Sequence, residues 1–171
     1  MIYCILGMSG TGKTTIARRV AKELKIPLVI SYTSRPIRSG ETQDVDYHYV
    51  DNQHFDENKD DFIEMREYEV YDGSIWKYGY KKSSFNDKNK DYFGKDKIKP
   101  ILINSQIGDL YLRLQKRGDN PKEIERRIED DKHKFEYFAE NEECENVYNY
   151  YDLDFAVKQT IHKITNNGGK Q

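Results

Sequence analysis

Cysteine is scarce in this sequence. The 171 residues carry two, Cys4 and Cys144, which form neither a zinc pattern nor a disulfide framework and so point to a reducing compartment. The four histidines, His48, His54, His133 and His162, have no metal-ligand spacing with each other or with cysteine, and no Ser/His/Asp constellation is suggested. Long apolar runs are missing as well. The opening run Ile2 to Leu6 is too short for a signal-peptide core, lacks a basic leader, and no other stretch approaches membrane-spanning length. The expectation is a cytoplasmic protein. A net charge of −2 provides no broad field for nucleic acid or a membrane surface, so a basic site has to be a local cluster. No internal repeat and no stretch demanding an obligate protein partner is found. Hydrophobic residues make up only 36% of the chain, yet 14 tyrosines keep it out of the disordered class, because their rings supply apolar area.

What is present is organised around Gly7-Met8-Ser9-Gly10-Thr11-Gly12-Lys13-Thr14-Thr15. Two glycines bracket four residues and are followed by Lys and Thr, the pattern of a phosphate-binding loop. Its context agrees. Ile2 to Leu6 reads as a buried parallel strand, and Ile16, Ala17, Val20, Ala21 and Leu24 recur at helical spacing behind the loop. Small residues let backbone N–H groups converge on phosphate oxygens, and the helix start adds the positive end of its dipole. Lys13 reaches the β- and γ-phosphates in such a loop, and the hydroxyl of Thr14 ligates Mg²⁺. The plainer alternative is a glycine-rich turn that binds nothing.

The rest of the chain predicts an α/β fold of phosphate-loop type, a parallel sheet flanked by helices, with a small inserted β-lobe and a helical lid. Residues 1–34 and 81–165 form the expected core, with a lid at about 107–135, a lobe at 35–80 and a tail at 166–171. Leu28 to Tyr32 reads as a second parallel strand and Val45 to Val50 as a third run of strand. Asp72-Gly73, between Phe62–Tyr71 and Ser74–Gly79, is a hairpin signal. Residues 86–99, rich in Lys and Asn, resemble a solvated surface segment, and Ile98 to Asn104 reads as a buried strand. A helix with Ile107, Leu110 and Leu114 on its apolar stripe ends at Gly118. Another starts with Asn120 as N-cap, Pro121 in first position and Glu123 placed for a capping box; a last helix starts at Asp152.

Two arginine groups stand out. Arg35 and Arg38 flank Pro36 on a stiffened loop, suited to grip a phosphate bidentately or simply to be solvated. Arg113, Arg117, Arg126 and Arg127 gather around one turn between two helices. Such a cluster can close over a γ-phosphate, or it can pair locally with Glu123, Glu125 and Glu129.

Taken together, the phosphate loop, Ser31-x-x-x-Arg35-Pro36-x-Arg38-x-Gly40-Glu41, Val45-Asp46-Tyr47-His48-Tyr49-Val50, Phe62-Ile63-Glu64 and Arg113-x-x-x-Arg117-Gly118 with Arg126-Arg127 resemble the guanylate kinase family over most of the chain. The resemblance implies transfer of the γ-phosphoryl of ATP to GMP with Mg²⁺, giving ADP and GDP. It puts Gly7, Ser9, Gly10, Thr11, Gly12, Lys13, Thr14, Thr15 and Arg113 on ATP, and Ser31, Arg35, Arg38, Tyr47, Glu64 and Tyr78 on GMP. Lys13, Arg38, Arg117 and Arg127 are the expected catalytic group, with Thr14 as the metal ligand. Glu64 can accept from guanine N1–H and N2–H₂, which adenine lacks. Alternatives are a kinase for another small phosphate, such as another nucleoside monophosphate or ribose 1,5-bisphosphate, and a nucleotide-binding or interaction module without catalysis.

The sequence departs from the family's pattern in several places. The hairpin from Glu64 to Tyr78 is long, Tyr80 stands where a small hydroxyl residue is usual, and Tyr150-Tyr151 stand where Asn-Asp is usual. Only Ile101 to Asn104 reads as a strand between hairpin and lid. A second strand and an acidic loop are expected to be missing there, or replaced by Lys81 to Lys97.

Overall fold

In the computed structural model, residues 1–85, 98–140 and 144–167 are described, and residues 86–97, 141–143 and 168–171 lie outside them. The chain divides into two compact units, Met1–Leu28 with Tyr92–Gln171, and Val29–Asp91.

The first unit is built on three parallel strands, β1 (Ile2–Leu6), β6 (Ile98–Asn104) and β7 (Glu145–Tyr148), in the order β1-β6-β7. Leu6 lies opposite Leu102, and Asn104 opposite Tyr148. Parallel strands end on the same side, so the loops after β1, β6 and β7 gather at one edge. Helices α1 (Lys13–Leu24) and α5 (Leu153–Asn167) cover the sheet through Ile16, Val20, Ala156, Val157 and Ile164, which pack on Ile101, Ile103 and Val147. Helices α3 (Ile107–Lys116) and α4 (Pro121–Glu140) bury Leu110, Leu114, Ile124 and Ile128 against one another, with Met8 of the glycine loop alongside. Asn120 caps α4 as expected, accepting from the Lys122 N–H at 2.9 Å. The last helix also starts where expected, with Asp152 accepting from the Asp154 N–H at 2.8 Å. It runs to Asn167.

Unit two holds a separate sheet of four strands, β2 (Tyr32–Thr33), β3 (His48–Tyr49), β4 (Phe62–Glu69) and β5 (Ile75–Lys81), in the order β3-β2-β5-β4. Its main body is the hairpin of β4 and β5, turned at Asp72-Gly73 as the sequence signal requires. Gly73 takes φ 83°, a left-handed conformation that glycine adopts without a Cβ clash.

Two expectations need correction. Leu28 to Ile30 form no strand, and β2 is only two residues long, pairing with β3 and β5 in the second sheet, not in the parallel core. Leu28 is 42% exposed. The strand expected over Val45 to Val50 shrinks to β3, and a short helix α2 (Asn52–Glu57), capped by Asp51, follows it. Finally, the sheet gains a strand beside β6 that the sequence did not announce, β7, which follows α4; between β5 and α3 the described residues hold only β6, as expected. The proposed replacement of a strand by Lys81 to Lys97 falls largely outside the described residues; within them, Lys81 ends β5 and Lys82–Ser84 form a single 3₁₀ turn. Among the described residues no helix is long and apolar enough to cross a membrane.

Candidate active site

The glycine loop leaves β1 and enters α1 through two positions that only glycine can fill. Gly7 has φ 143°, and a Cβ there would lie 2.5 Å from the Ile103 carbonyl oxygen. Gly12, at φ 89°, would put a Cβ 2.8 Å from Asn149 Nδ2. The loop is therefore seated on the ends of β6 and β7. Asn149 completes the seat: its side chain donates to Thr11 O at 2.8 Å and its N–H to Asn104 O at 2.8 Å, while the residue is 5% exposed. Sequence reading passed over Asn149. Its signal was only an Asn just past a short polar strand.

Thr11 turns inward and closes the loop with a hydrogen bond to Met8 O at 2.8 Å. Thr14 and Thr15, in the first turn of α1, are exposed. Lys13 Nζ donates to the Gly7 and Met8 carbonyls at 2.6 and 2.7 Å. Burial lowers its pKa to about 8; the Arg117 and Arg127 charges push the same way, and Asp131 opposes them. These three charged groups thus share the lysine's field. The Ser9 N–H donates to Asp131 Oδ2 of α4 at 2.6 Å, a carboxylate on an amide of the phosphate loop. Asp131 was not anticipated, since a polar residue in a charged helix reads as part of a solvated face.

The arginines of the helical pair are each braced. Arg113 fastens α3 to the glycine loop and to the segment after β7, donating to Gly10 O, Ser105 Oγ, Asn149 O and Tyr150 O at 3.4, 3.2, 2.9 and 3.2 Å. Arg117 pairs with Asp119. Arg126 and Arg127 both bind Glu123, whose side chain is 4% exposed, and Arg127 Nη1 also lies 3.4 Å from Asp119. Glu123, foreseen as a capping-box acid, therefore serves two arginines. Burial works to raise its pKa, but the hydrogen bonds from Arg126 and Arg127 outweigh it and hold the carboxyl low. Local pairing is real here, through Glu123 rather than Glu125 or Glu129.

In the second unit Glu41 organises the loop that carries Arg35 and Arg38. Its carboxylate takes Arg35 Nη1 and Nη2, each at 2.9 Å, the Arg38 N–H at 2.8 Å and the Tyr49 hydroxyl at 2.8 Å. Burial alone would raise the Glu41 pKa, but these donors bring it below the usual carboxylate range. Arg35 is 3% exposed and its guanidinium lies 5.4 Å from the Tyr47 ring centroid and 5.6 Å from that of Tyr49. Arg38 is more open, with Nη1 4.0 Å from Glu41 and the side chain 24% exposed. Burial raises the Tyr47 hydroxyl pKa, and its ring meets Tyr78 edge-on at 6.1 Å. Ser31 lies just before β2, its carbonyl taking the His48 N–H at 2.9 Å. Glu64 stands on β4, half-exposed, with Arg66 Nε donating to it at 2.6 Å.

Lys13, Arg113, Arg117 and Arg127 are thus assembled within one unit, and Arg35, Arg38, Tyr47 and Tyr78 within the other. A parallel sheet whose first strand runs through a glycine loop into a helix headed by Lys-Thr-Thr defines a phosphate-loop nucleotide-binding protein. The family model described as "Guanylate kinase" matches residues 1–83. The guanylate kinase of Salinibacter ruber is 29% identical over 184 residues, covering 95% of this chain and 94% of that protein. A guanylate kinase of Thermus thermophilus is 28% identical over 172 residues, covering 85% of this chain and 76% of that protein. The crystal structure of guanylate kinase from Anaplasma phagocytophilum shares the fold with a TM-score of 0.68 at 18% identity, over 99% of this chain and 87% of that one. The chain is thus similar to guanylate kinases over nearly its whole length and shares their fold.

Proposed function

We propose that the protein transfers the γ-phosphoryl group of ATP to GMP, giving ADP and GDP. One observation within the chain carries this reading. Besides the phosphate loop it has a second anion-binding arrangement, the Arg35–Arg38 loop braced by Glu41 beside Tyr47, in the same unit as a strand bearing Glu64. A hydrolase has no need of that second arrangement; a kinase with a phosphorylated acceptor does.

In this reading the backbone N–H groups from Ser9 to Thr15 and the Lys13 ammonium hold the donor phosphates, with the α1 dipole behind them. Arg117 and Arg127, which already share the field around Lys13, neutralise charge developing on the transferred group, and Arg113 keeps the loop in shape. Arg38, the more open of the two loop arginines, contacts the acceptor phosphate, while Arg35 and Tyr47 set its surroundings. Glu64 accepts from guanine N1–H and N2–H₂. An oxygen of the GMP phosphate forms the new bond to the γ-phosphorus, and the bridging oxygen leaves with ADP. That nucleophile is already anionic, so no general base is required.

Magnesium fits these residues. Thr14 presents an exposed hydroxyl at the start of α1, and Mg²⁺ is commonly held by one or two protein oxygens together with substrate phosphates. When bound it neutralises charge on the donor phosphates.

The deciding experiment is ADP release from Mg·ATP with GMP, AMP, UMP and ribose 1,5-bisphosphate offered separately. Turnover with GMP supports the proposal. Turnover only with another acceptor, or ATP binding without transfer, overturns it.

A further inference from the structure

Arg66 has no part in the acceptor site described so far, yet it touches the residue placed on the guanine ring. On β4 the two lie two positions apart, so they share one side of the hairpin. In the register of the ladder Glu64 faces Tyr80 and Arg66 faces Tyr78. Arg66 Nε donates to Glu64 Oε1 at 2.6 Å and Nη2 lies 2.5 Å from the same oxygen, so this contact uses one of the two carboxylate oxygens. The side chains are 61% and 50% exposed. An ion pair that open contributes little to stability, and the hairpin ladder does not depend on it.

The same side of the hairpin leads by ring contacts to the arginine loop. Tyr68 meets Tyr78 edge-on at 5.7 Å, Tyr78 meets Tyr47 at 6.1 Å, and the Arg35 guanidinium lies 5.4 Å from the Tyr47 centroid. One face thus carries a guanidinium–carboxylate pair at one end, tyrosine rings between, and the arginine loop at the other, the order in which a purine monophosphate presents base, sugar and phosphate.

We propose that Arg66 is a specificity-determining residue that donates to guanine O6 while Glu64 accepts from N1–H and N2–H₂. This rests on the GMP reading above. Guanine offers two acceptors, O6 and N7, beside its N1–H and N2–H₂ donors, and an arginine fork complements the acceptors as a carboxylate does the donors. Adenine reverses both signs: its 6-amino group points a donor at Arg66 and its N1 an acceptor at Glu64. Rejection is then built from repulsion as well as from missing bonds.

The test compares kcat/KM of the full chain and its Arg66→Ala, Arg66→Gln and Arg66→Lys variants on GMP, 6-thio-GMP and IMP with saturating Mg·ATP. 6-Thio-GMP replaces O6 by a poorer acceptor, and IMP lacks only the 2-amino group. For Arg66→Ala we expect kcat/KM for GMP to fall about 10- to 100-fold. The preference for GMP over 6-thio-GMP should collapse, while that over IMP and the KM for ATP stay within about twofold of the parent. Arg66→Lys should recover part of the loss. A variant with the parent's selectivity would overturn the proposal, and so would equal loss of both preferences, which would make Arg66 only a brace for Glu64. Parent turnover of GMP is measured first. Its absence sinks the acceptor reading and this proposal together, whereas normal parent turnover with an unchanged Arg66→Ala profile sinks the proposal alone.

Discussion

Glu41 is the residue on which the arginine loop of the second unit depends. Arg35, with a side chain 2% exposed, has this carboxylate as its bidentate partner, so removing it strands a buried cation. Glu41→Gln should lower stability by about 3 kcal/mol, read as a fall in Tm, and raise the KM for GMP far more than that for ATP. A thermal melt with steady-state kinetics on the same sample checks both. Acid should mimic the substitution. The Glu41 pKa is depressed in the folded state, so its stabilisation is complete above the unfolded carboxyl value of 4.5 and is lost as pH falls through the folded value. Asn149 predicts a different signature. With its Thr11 bond gone, Asn149→Ala should cost about 1–2 kcal/mol and weaken ATP binding while leaving GMP binding alone, which calorimetric titration with each nucleotide distinguishes.

At the scale of elements, α4 carries the carboxylate that occupies the Ser9 amide. Phosphate oxygens seek the same N–H groups, so Asp131→Asn should tighten Mg·ATP binding by about two- to tenfold, a gain visible in the Kd. A weaker Kd in that variant would mean that Asp131 supports the loop rather than competing for it. How far these elements were legible in the sequence depended on whether their signal was local. The glycine loop, the Asp72-Gly73 turn, the Asn120-Pro121 helix start and the last helix all announce themselves within a few residues, and the structure has them. β7 does not. Its four residues, Glu145 to Tyr148, bury only Val147, and their strand character comes from β6 alongside. Conversely, Leu28 to Ile30 have strand composition but pair with no strand among the described residues. The donor-side candidates were legible because the loop's chemistry fixes its spacing. Asp131 and Asn149 were not, because their partners lie more than a hundred residues away, whereas Glu123 and its arginines sit within one helix turn and were foreseen.

For the whole molecule, the two units predict separable responses. Hydrogen exchange with Mg·ATP alone should protect amides of the loop around Gly7 to Thr15, and with GMP alone those around Arg35 to Tyr49. Arg38→Ala should abolish the second pattern and preserve the first; loss of both would remove Arg38 from the acceptor side. The chain should also show an alkaline limit. Lys13 loses its proton near pH 8, well below the ordinary value of 10.5, so ATP affinity should fall about tenfold between pH 7 and 9, and Lys13→Met should flatten that dependence. Stability moves the other way. The unfolded chain binds more protons between the two values, so the fold gains stability as pH rises from about 8 to 10.5 even as the donor site fails.

The β4–β5 ladder imposes a parity rule on how this hairpin can change length. Its register shift lies between Phe62 and Glu64, and from there to Ile75 the pairing is regular. Glu64, Arg66, Tyr68, Tyr78 and Tyr80 share one side, and Glu67 and Lys77, an ion pair at 3.2 Å, the other. One residue added or removed between Glu64 and Arg66 would send Arg66 to the Lys77 side and divide the pair. Beyond Glu69, at the Asp72-Gly73 tip, any number can be inserted without moving either. Relatives whose hairpins differ in length should therefore differ at the tip, or by even steps within the strands.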